Sequence, residues 1–344
     1  FMNFTKESIF ISGIRSFINT LLGTAGIFIA LMACIMIFAI FLGNEQKDAL
    51  KNKVEILPDL NGETKILSLK TPVVLQLDIH DIIGKSFTYE DIYYQLIESR
   101  KSFLKNNRVK AILLHVNSPG GDAVDSDDIY KALKKYKEKY NIPIYAYIDG
   151  LCASGGFYIS CAADKIYSSS NSIIGSVGSR IGPFFNFSKI LENWGINSST
   201  ITDGKNKDMM NPFRPWVKDE DESLKEINEY IYNNFVDIVA KARNINKDLI
   251  IKEYGAKIFS SKKAKEIGYI DETDSSYEIV MTDLLNAAKI DLSKEYQVVT
   301  LKTKKTWFQP LVTQTKCLIE SIFSKFFLSS KSLNNIQSKN IELR

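Results

Sequence analysis

The first long hydrophobic block of the chain, Leu21–Gly43, contains no charged residue. As an α-helix it would be about 34 Å long, enough to cross a bilayer core of about 30 Å. The apolar region of a cleaved secretory signal is shorter, about 7–15 residues, and a small-x-small site follows it. No such site ends this block, so we predict an uncleaved membrane anchor at 21–43. Two basic residues precede it and three follow closely, which leaves its orientation open.

After the anchor, short apolar runs alternate with segments of helical spacing. Val109–Val116 is almost continuously apolar, which is typical of a strand buried on both faces of a parallel sheet. The alternation predicts an α/β domain with a mainly parallel sheet wrapped by helices. The predicted strands are Val73–Ile79, Val109–Val116, Ile142–Ile148, Lys165–Ser168 and Ile173–Val177, and the predicted helices are Tyr89–Phe103, Ala123–Tyr140, Ser154–Ala163 and Leu224–Arg243.

Composition agrees with a folded protein and adds little chemistry. Of the 344 residues, 45% are hydrophobic and 24% are charged, which excludes a wholly disordered chain or a disulfide scaffold. The net charge of +4 gives no reason to expect nucleic acid as a partner. The four cysteines lack C-x-x-C spacing, so no zinc or redox motif follows from them.

The same patterns divide the chain into five regions. The last region is basic, and its Trp307–Leu328 has the spacing of an amphipathic helix that packs on protein or lies on a membrane surface. We expect a short N-terminal segment at 1–20, the anchor at 21–43, a polar connector at 44–71, the α/β domain at 72–290 and the basic tail at 291–344.

Two glycine-rich segments lie where a predicted strand gives way to a helix. In Asn117–Asp122 (NSPGGD), unobstructed backbone amides are suited to hold an oxyanion, and the alternative is a plain turn with Asp122 as helix cap. In CASGGFY, Ser154 lies at a predicted helix start, where the helix dipole favours negative charge. The alternative for Ser154 is an ordinary capping serine, and Cys152 is a rival nucleophile.

A nucleophilic serine needs a base, and histidine is the usual one. The sequence has only two histidines, His80 and His115, and both precede Ser154. His115 alternates with apolar residues of a predicted strand, which favours a packed side chain over a catalytic one. The scarcity of histidine makes a lysine base, as in Ser-Lys hydrolases, the better candidate.

A lysine acts as a base only when burial keeps its amine uncharged. Lys205 and Lys207 lie in the segment DGKNKD, and the hydroxyl of Ser176, in GSVG, is a group that can position an amine. The alternative for both lysines is a solvated basic loop. For Ser176 the alternative is a glycine-rich turn.

Several segments, in this order, resemble the signal peptide peptidase A family of membrane-anchored serine proteases. They cover about Val73–Asp271, more than half of the chain, and a single anchor before a single protease domain is similar to the short form of that family. One departure is Ser261, where the family more often has glycine. The segments are NSPGGD at Asn117–Asp122, ASGGFYIS at Ala153–Ser160, GSVG at Gly175–Gly178, DGKNKD at Asp203–Asp208, FVDIVAKAR at Phe235–Arg243 and AKIFSSKKAKEIGYID at Ala256–Asp271.

The resemblance implies the stacked ββα fold of the Clp protease and crotonase superfamily, without metal or cofactor. It also implies a homo-oligomer, a cytoplasmic N-terminus with an extracytoplasmic protease domain, and apolar peptides such as signal-peptide remnants as substrates at the bilayer. The implied site consists of Ser154 as nucleophile, Lys207 as general base with Lys205 as the alternative, Ser176 as the residue that positions the lysine, and the backbone amides of Gly121 and Gly155 as oxyanion hole.

Other functions stay open at this level. A related protease that cuts stomatin-like membrane proteins shares these features. A crotonase-type acyl-CoA enzyme shares the fold and a glycine-based oxyanion site, although it needs neither the Ser-Lys pair nor an anchor. An inactive membrane scaffold is the non-enzymatic alternative.

Overall fold

The computed structural model describes residues 13–31, 33 and 53–302. They fall into two compact units, divided between Lys53 and Val54. In the first unit, helix α1 covers Gly13–Leu31 and is long and apolar enough to cross a membrane. Its described part therefore begins upstream of the predicted 21–43 anchor. Apart from Ala33, the remainder of that anchor lies outside the described residues, as does the predicted tail helix Trp307–Leu328.

The second unit is built on an eight-stranded sheet with the order β1-β8-β2-β3-β4-β6-β7, and β5 also pairs with β4. Pairing is parallel between β2 and its neighbours β3 and β8, and between β4 and its neighbours β3, β5 and β6, whereas β6 and β7 are antiparallel. The strands are β1 Lys53–Leu57, β2 Val73–Ile83, β3 Val109–Gly121, β4 Ile144–Ala153, β5 Lys165–Ser168, β6 Ile173–Gly175, β7 Ile258–Ser260 and β8 Gln297–Lys302.

Helices cover both faces of this sheet, as the buried apolar strands require. One core packs α2, α3, α4 and α6 against alternate strand residues such as Ile112 and Leu114. The other packs α9 against the opposite face, which includes Ala111 and Leu113. The helices are α2 Tyr89–Glu98, α3 Ala123–Tyr140, α4 Gly155–Ser160, α5 Ser188–Asn193, α6 Glu222–Arg243, α7 Lys247–Leu249, α8 Ser261–Glu266 and α9 Tyr277–Ala287.

The sheet extends beyond the predicted 72–290 domain at both ends. Strand β1 comes from the expected connector and β8 from the expected tail. The pairing of β8 with β2 buries Val298 and Val299, and the buried guanidinium of Arg108 donates to Gln297 Oε1 at 2.8 Å. The compact unit is therefore Val54–Lys302.

Predicted and observed elements differ mostly at strand ends. Helix α3 and strand β5 have their predicted bounds, but β3 runs on through the NSPGG turn to Gly121 and β4 runs on to Ala153. These extensions matter because the carboxyl ends of parallel strands meet at one edge of a sheet. The glycine turn, Ser154 and Ser176 therefore come together there.

Candidate active site

Ser154 lies in the turn from β4 to α4, in a backbone conformation that side chains rarely adopt. Its φ of 53° and ψ of −121° correspond to strain of about 1–3 kcal/mol. Two hydrogen bonds of 2.9 Å hold this backbone: the Ser154 N–H donates to the carbonyl of Gly175, and the Ser154 carbonyl accepts from Tyr158. The side chain makes no capping hydrogen bond, which argues against an ordinary capping serine. Within the described residues its half-buried hydroxyl has no partner.

The amide of Gly155 follows this hydroxyl directly. Gly155 is the first residue of α4, and N–H groups in a first helical turn have no intrahelical acceptor. A Cβ on Gly155 would lie 2.3 Å from Ser126 Oγ. A larger residue here would force the side chains of Ser126 and Ile83 to move, next to the nucleophile candidate.

The glycine turn of β3 approaches Ser154 from the neighbouring strand. Gly120 has φ +97°, and a Cβ there would lie 2.7 Å from both the Gly155 nitrogen and Ser154 Cβ. A Cβ on Gly121 would instead lie 2.1 Å from the Ile83 carbonyl oxygen on β2. Sequence reasoning chose Gly121 and missed the close approach of Gly120 to Ser154, although the paired glycines of the motif were the available signal.

Asp122 is the N-cap of α3, as one reading of the sequence expected. Its Oδ1 accepts from the amides of Val124 and Asp125, both at 2.9 Å. Its own N–H donates to the Ile83 carbonyl at 3.0 Å, toward β2.

Ser176 follows the strand beside Ser154. Strands β4 and β6 pair with Ala153 opposite Gly175, so a serine directly follows each strand end. The φ of Ser176 is 58°, and its N–H donates to the Lys257 carbonyl at 2.8 Å. The structure therefore brings Ser154 and Ser176 to adjacent positions.

Cys152 is excluded as the rival nucleophile. Its side chain is fully buried, and Sγ lies 3.4 Å from Ser160 Oγ. Burial raises the pKa of the Cys152 thiol to about 12. Since the thiolate is the reactive form, this side chain is inert at neutral pH.

Neither lysine candidate pairs with Ser154 in a single chain. Lys205 and Lys207 lie in consecutive turns of an irregular segment, and both are exposed. Within residues 53–302, neither amine has a hydrogen-bond or ion-pair partner. For one isolated copy the solvated-loop reading holds.

Ion pairs fix the loop that carries these lysines. Arg214 Nε lies 2.7 Å from Asp208 Oδ2, and Arg214 Nη2 lies 2.6 Å from Glu220 Oε2. Hydrogen bonding from Arg214, followed by that from Asn211, lowers the pKa of Asp208 below its usual value. The sequence analysis had no signal for Arg214, which shapes the backbone immediately after Lys207.

Known proteins resemble this chain over most of the second unit. The model of peptidase family S49 matches residues 136–290, and the model of Clp protease matches residues 77–174. The chain is 30% identical to an Enterococcus faecium protein named signal peptide peptidase SppA, over 79% of this chain and 82% of that protein. It is 37% identical to a Methanocaldococcus jannaschii protein named as a protease, over 49% of this chain and 53% of that protein.

The chain thus spans about half the length of the Methanocaldococcus relative. A ClpP1 mutant from Listeria monocytogenes aligns with a TM-score of 0.40 and 19% identity, over 62% of this chain and 96% of that chain. The match of residues 77–174 to the Clp protease family agrees with the mainly parallel sheet and confirms the predicted Clp protease-like fold. Given the Enterococcus match and an S49 match whose range includes Ser154, Ser176 and Lys207, the chain belongs to peptidase family S49, the SppA-like serine proteases.

Proposed function

We propose that this chain is a membrane-anchored endopeptidase that uses Ser154 as nucleophile and Lys207 as general base to degrade apolar peptides such as signal-peptide remnants. The observation that carries the proposal is the unpartnered Ser154 hydroxyl, held in a strained strand-to-helix turn. Nucleophiles of several hydrolases occupy such turns because the strain presents the side chain to the substrate.

In the proposed mechanism, the uncharged amine of Lys207 takes the proton of Ser154 as its oxygen attacks a peptide carbonyl. The amides of Gly121 and Gly155 stabilise the negative oxygen that forms, and one such donor is typically worth about 3–4 kcal/mol. The lysine then protonates the leaving amine, and water releases the acyl-enzyme. Ser176, adjacent to Ser154, orients the amine.

An exposed lysine stays charged, so this mechanism requires a surface that covers Lys207. Lys207 lies in an arm, defined here as residues Arg180–Val217, that exposes many large apolar side chains. Ile201 is 97% exposed and Trp194 is 77% exposed. Such concentrations mark surfaces that other molecules cover. The exposed apolar residues of the arm are Ile181, Phe184, Phe185, Phe187, Ile190, Trp194, Ile196, Ile201, Met209, Phe213, Trp216 and Val217.

We assign a second copy of the chain as the molecule that covers the arm. A homo-oligomer would bury the arm and remove the amine from water in the same step. It would also let Lys207 of one copy serve Ser154 of its neighbour, which accounts for their lack of contact in one chain. The alternative base Lys205 lies in the same arm and would be buried with it.

Membrane anchoring is the other part of the proposal. Helix α1 supplies a span of about 29 Å by itself. Anchoring would hold the active site close to the bilayer, where cleaved signal peptides remain. The proposed topology places the N-terminus in the cytoplasm and the protease domain outside it.

The first test is hydrolysis of synthetic signal peptides by the detergent-purified full chain, with the cuts mapped by mass spectrometry. Ser154→Ala should abolish cleavage and labelling by a serine-reactive fluorophosphonate. Ser169→Ala, at another half-buried serine, is the control and should change neither. Cleavage by Ser154→Ala would refute the assignment, and turnover of an acyl-CoA in place of peptides would point to the crotonase-type alternative.

The second test separates the two lysines and locates the base. Lys207→Ala should lower kcat by about 100- to 10,000-fold, the usual contribution of a general base, and Lys205→Ala is the matched control. Mixed oligomers of Ser154→Ala and Lys207→Ala chains should regain activity if the pair forms between copies. A loss confined to Lys205→Ala would move the base to that residue, and full activity in both variants would refute a lysine base in this loop.

A further inference from the structure

Both histidines of the chain lie side by side on the sheet, away from Ser154. Asp78 and His80 are on β2, and His115 is on β3 directly opposite Asp78 in the parallel register. The imidazole rings of His80 and His115 meet edge to face, with centroids 4.7 Å apart. All three side chains are half-buried. Asp149, on β4, adds a carboxylate at the edge of this cluster.

The donor atoms of this cluster converge. His115 Nδ1 lies 3.8 Å from Asp78 Oδ1, and His115 Nε2 lies 3.7 Å from Asp149 Oδ2. One donor atom from each of Asp78, His80 and His115 lies within 4.8 Å of the other two. Two nitrogen or oxygen donors bonded to zinc at about 2.1 Å are at most about 4.2 Å apart. Small side-chain rotations are therefore sufficient to bring the three donor atoms to bonding distance of one ion.

His80 supplies an independent observation, because its Nε2 atom is buried and has no hydrogen-bond partner. A buried nitrogen without a partner is costly, so a native structure usually gives it one. Burial, reinforced by the proximity of His115, lowers the pKa of His80. The neutral imidazole that this favours is the form that binds metals.

Outer hydrogen bonds orient the cluster as they do in metal sites. Gln76 Nε2 donates to Asp78 Oδ1 at 2.8 Å, and the Tyr277 hydroxyl donates to Gln76 Oε1 at 3.0 Å. If His115 binds through Nδ1, its Nε2 faces the carboxylate of Asp149. A carboxylate behind a ligating histidine is the usual outer shell of a zinc site.

We propose that Asp78, His80 and His115 form a binding site for a first-row divalent metal ion, with zinc as the expected occupant. Two imidazoles and one carboxylate suit zinc and its neighbours and disfavour calcium and magnesium, which prefer oxygen ligands. The ion would link β2 to β3 a few residues before the Gly120–Gly121 turn. The site is separate from the Ser154 chemistry and does not depend on the proposed function.

The test uses the full-length chain in detergent, stripped of metal by a chelator and titrated with Zn²⁺. We expect one high-affinity equivalent per chain, and no comparable binding of Mg²⁺ or Ca²⁺. Co²⁺ in place of zinc should give visible absorption bands. Preference for Mg²⁺ or Ca²⁺, or the absence of high-affinity zinc binding, would overturn the proposal.

Variants assign the ion to these residues. The pair His80→Gln and His115→Gln should remove the high-affinity equivalent. Tyr277→Phe should weaken it by less than the about 10- to 100-fold typical of a group that contacts a ligand directly, because its hydroxyl reaches Asp78 only through Gln76. Tyr296→Phe is the matched control and should leave affinity unchanged, because that hydroxyl accepts from the Leu60 amide and has no contact with Gln76. Zinc binding that persists in the histidine variant would refute the assignment.

A measurement on the unaltered chain covers the case in which those variants fail to fold. The sequence contains only two histidines, so selective ¹³C-histidine labelling gives two sets of imidazole signals. One equivalent of Zn²⁺ should shift both sets. Zinc bound without a shift of either set would overturn the proposal.

Discussion

Gly120→Ala tests the geometry of the proposed active site at its closest contact. The added methyl group would lie 2.7 Å from the Gly155 nitrogen and from Ser154 Cβ, and 2.9 Å from the Ala153 carbonyl oxygen. Two of those three atoms are backbone, so no flexible side chain can move aside. Either the β3 turn or the Ser154 turn must shift.

The expected cost has two parts. Alanine at φ +97° loses about 1–2 kcal/mol relative to glycine in the left-handed region. Overpacking of a close contact adds about 1–3 kcal/mol. For a total near 3 kcal/mol, a domain of this size should melt about 6–12 °C lower. If Ser154 is the nucleophile, as proposed, its displacement by about 1 Å is sufficient to reduce kcat about 100-fold.

Thermal unfolding and peptide cleavage of the purified full chain measure the two effects. Gly62→Ala is the matched control, because Gly62 also has a positive φ of 76° but has no atom within 4 Å of the added Cβ. It should show the backbone cost alone and keep full activity. If Gly120→Ala melts and cleaves like Gly62→Ala, the close approach of the glycine turn to Ser154 is refuted.

Three other changes probe the rest of the unit. Burial raises the pKa of Cys152 and Cys161 to about 12. The protonated thiols therefore contribute fully to the free energy of unfolding below their unfolded-state pKa of about 8.5, and this contribution is lost as the pH rises toward 12. At pH 9, iodoacetamide should therefore leave both thiols unmodified in the native chain and alkylate both after unfolding, as measured by mass spectrometry. Alkylation of either thiol in the native chain would contradict its burial. Arg214→Ala removes both ion pairs of the lysine loop and leaves the buried carboxylate of Glu220 without its cation, so it should lower the melting temperature, speed chymotrypsin cleavage in the loop and reduce activity. An unchanged cleavage rate would show that other contacts hold the loop. A chain that ends after Lys302 should fold. One that ends after Glu295 loses the buried apolar side chains of Val298, Val299 and Leu301 on β8, each worth about 1.5–3 kcal/mol, and equal melting temperatures would refute the place of β8 in the sheet.

Local patterns were sufficient for the centre of the sheet and the helices that follow its strands, but helix α9, which covers the opposite face, was not predicted. The bounds of α3 and β5 follow from apolar spacing and turn residues that lie within each segment. The order of strand and helix then implied a mainly parallel sheet, and NSPGGD and CASGGFY each lay where a predicted strand gives way to a helix. The family resemblance seen in the sequence rests on the same short segments.

Contacts between distant segments had no such signal. Strand β8 pairs with β2, which lies more than 200 residues earlier in the chain. Its six residues alone do not distinguish a strand from a loop, because the strand is defined by its pairing with β2. Gly120 could not be separated from Gly121 without the position of Ser154. The Asp208–Arg214–Glu220 network likewise depends on how one irregular loop folds.

The sequence by itself determined the central strands, the helices between them, the family resemblance and the serine candidate, because each depends on residues close together along the chain. The tertiary structure decided that Cys152 is inert, that Lys207 is exposed in a single copy and that the two histidines meet Asp78. Burial and donor geometry depend on what surrounds a side chain in space, and those neighbours come from segments that a linear pattern does not connect.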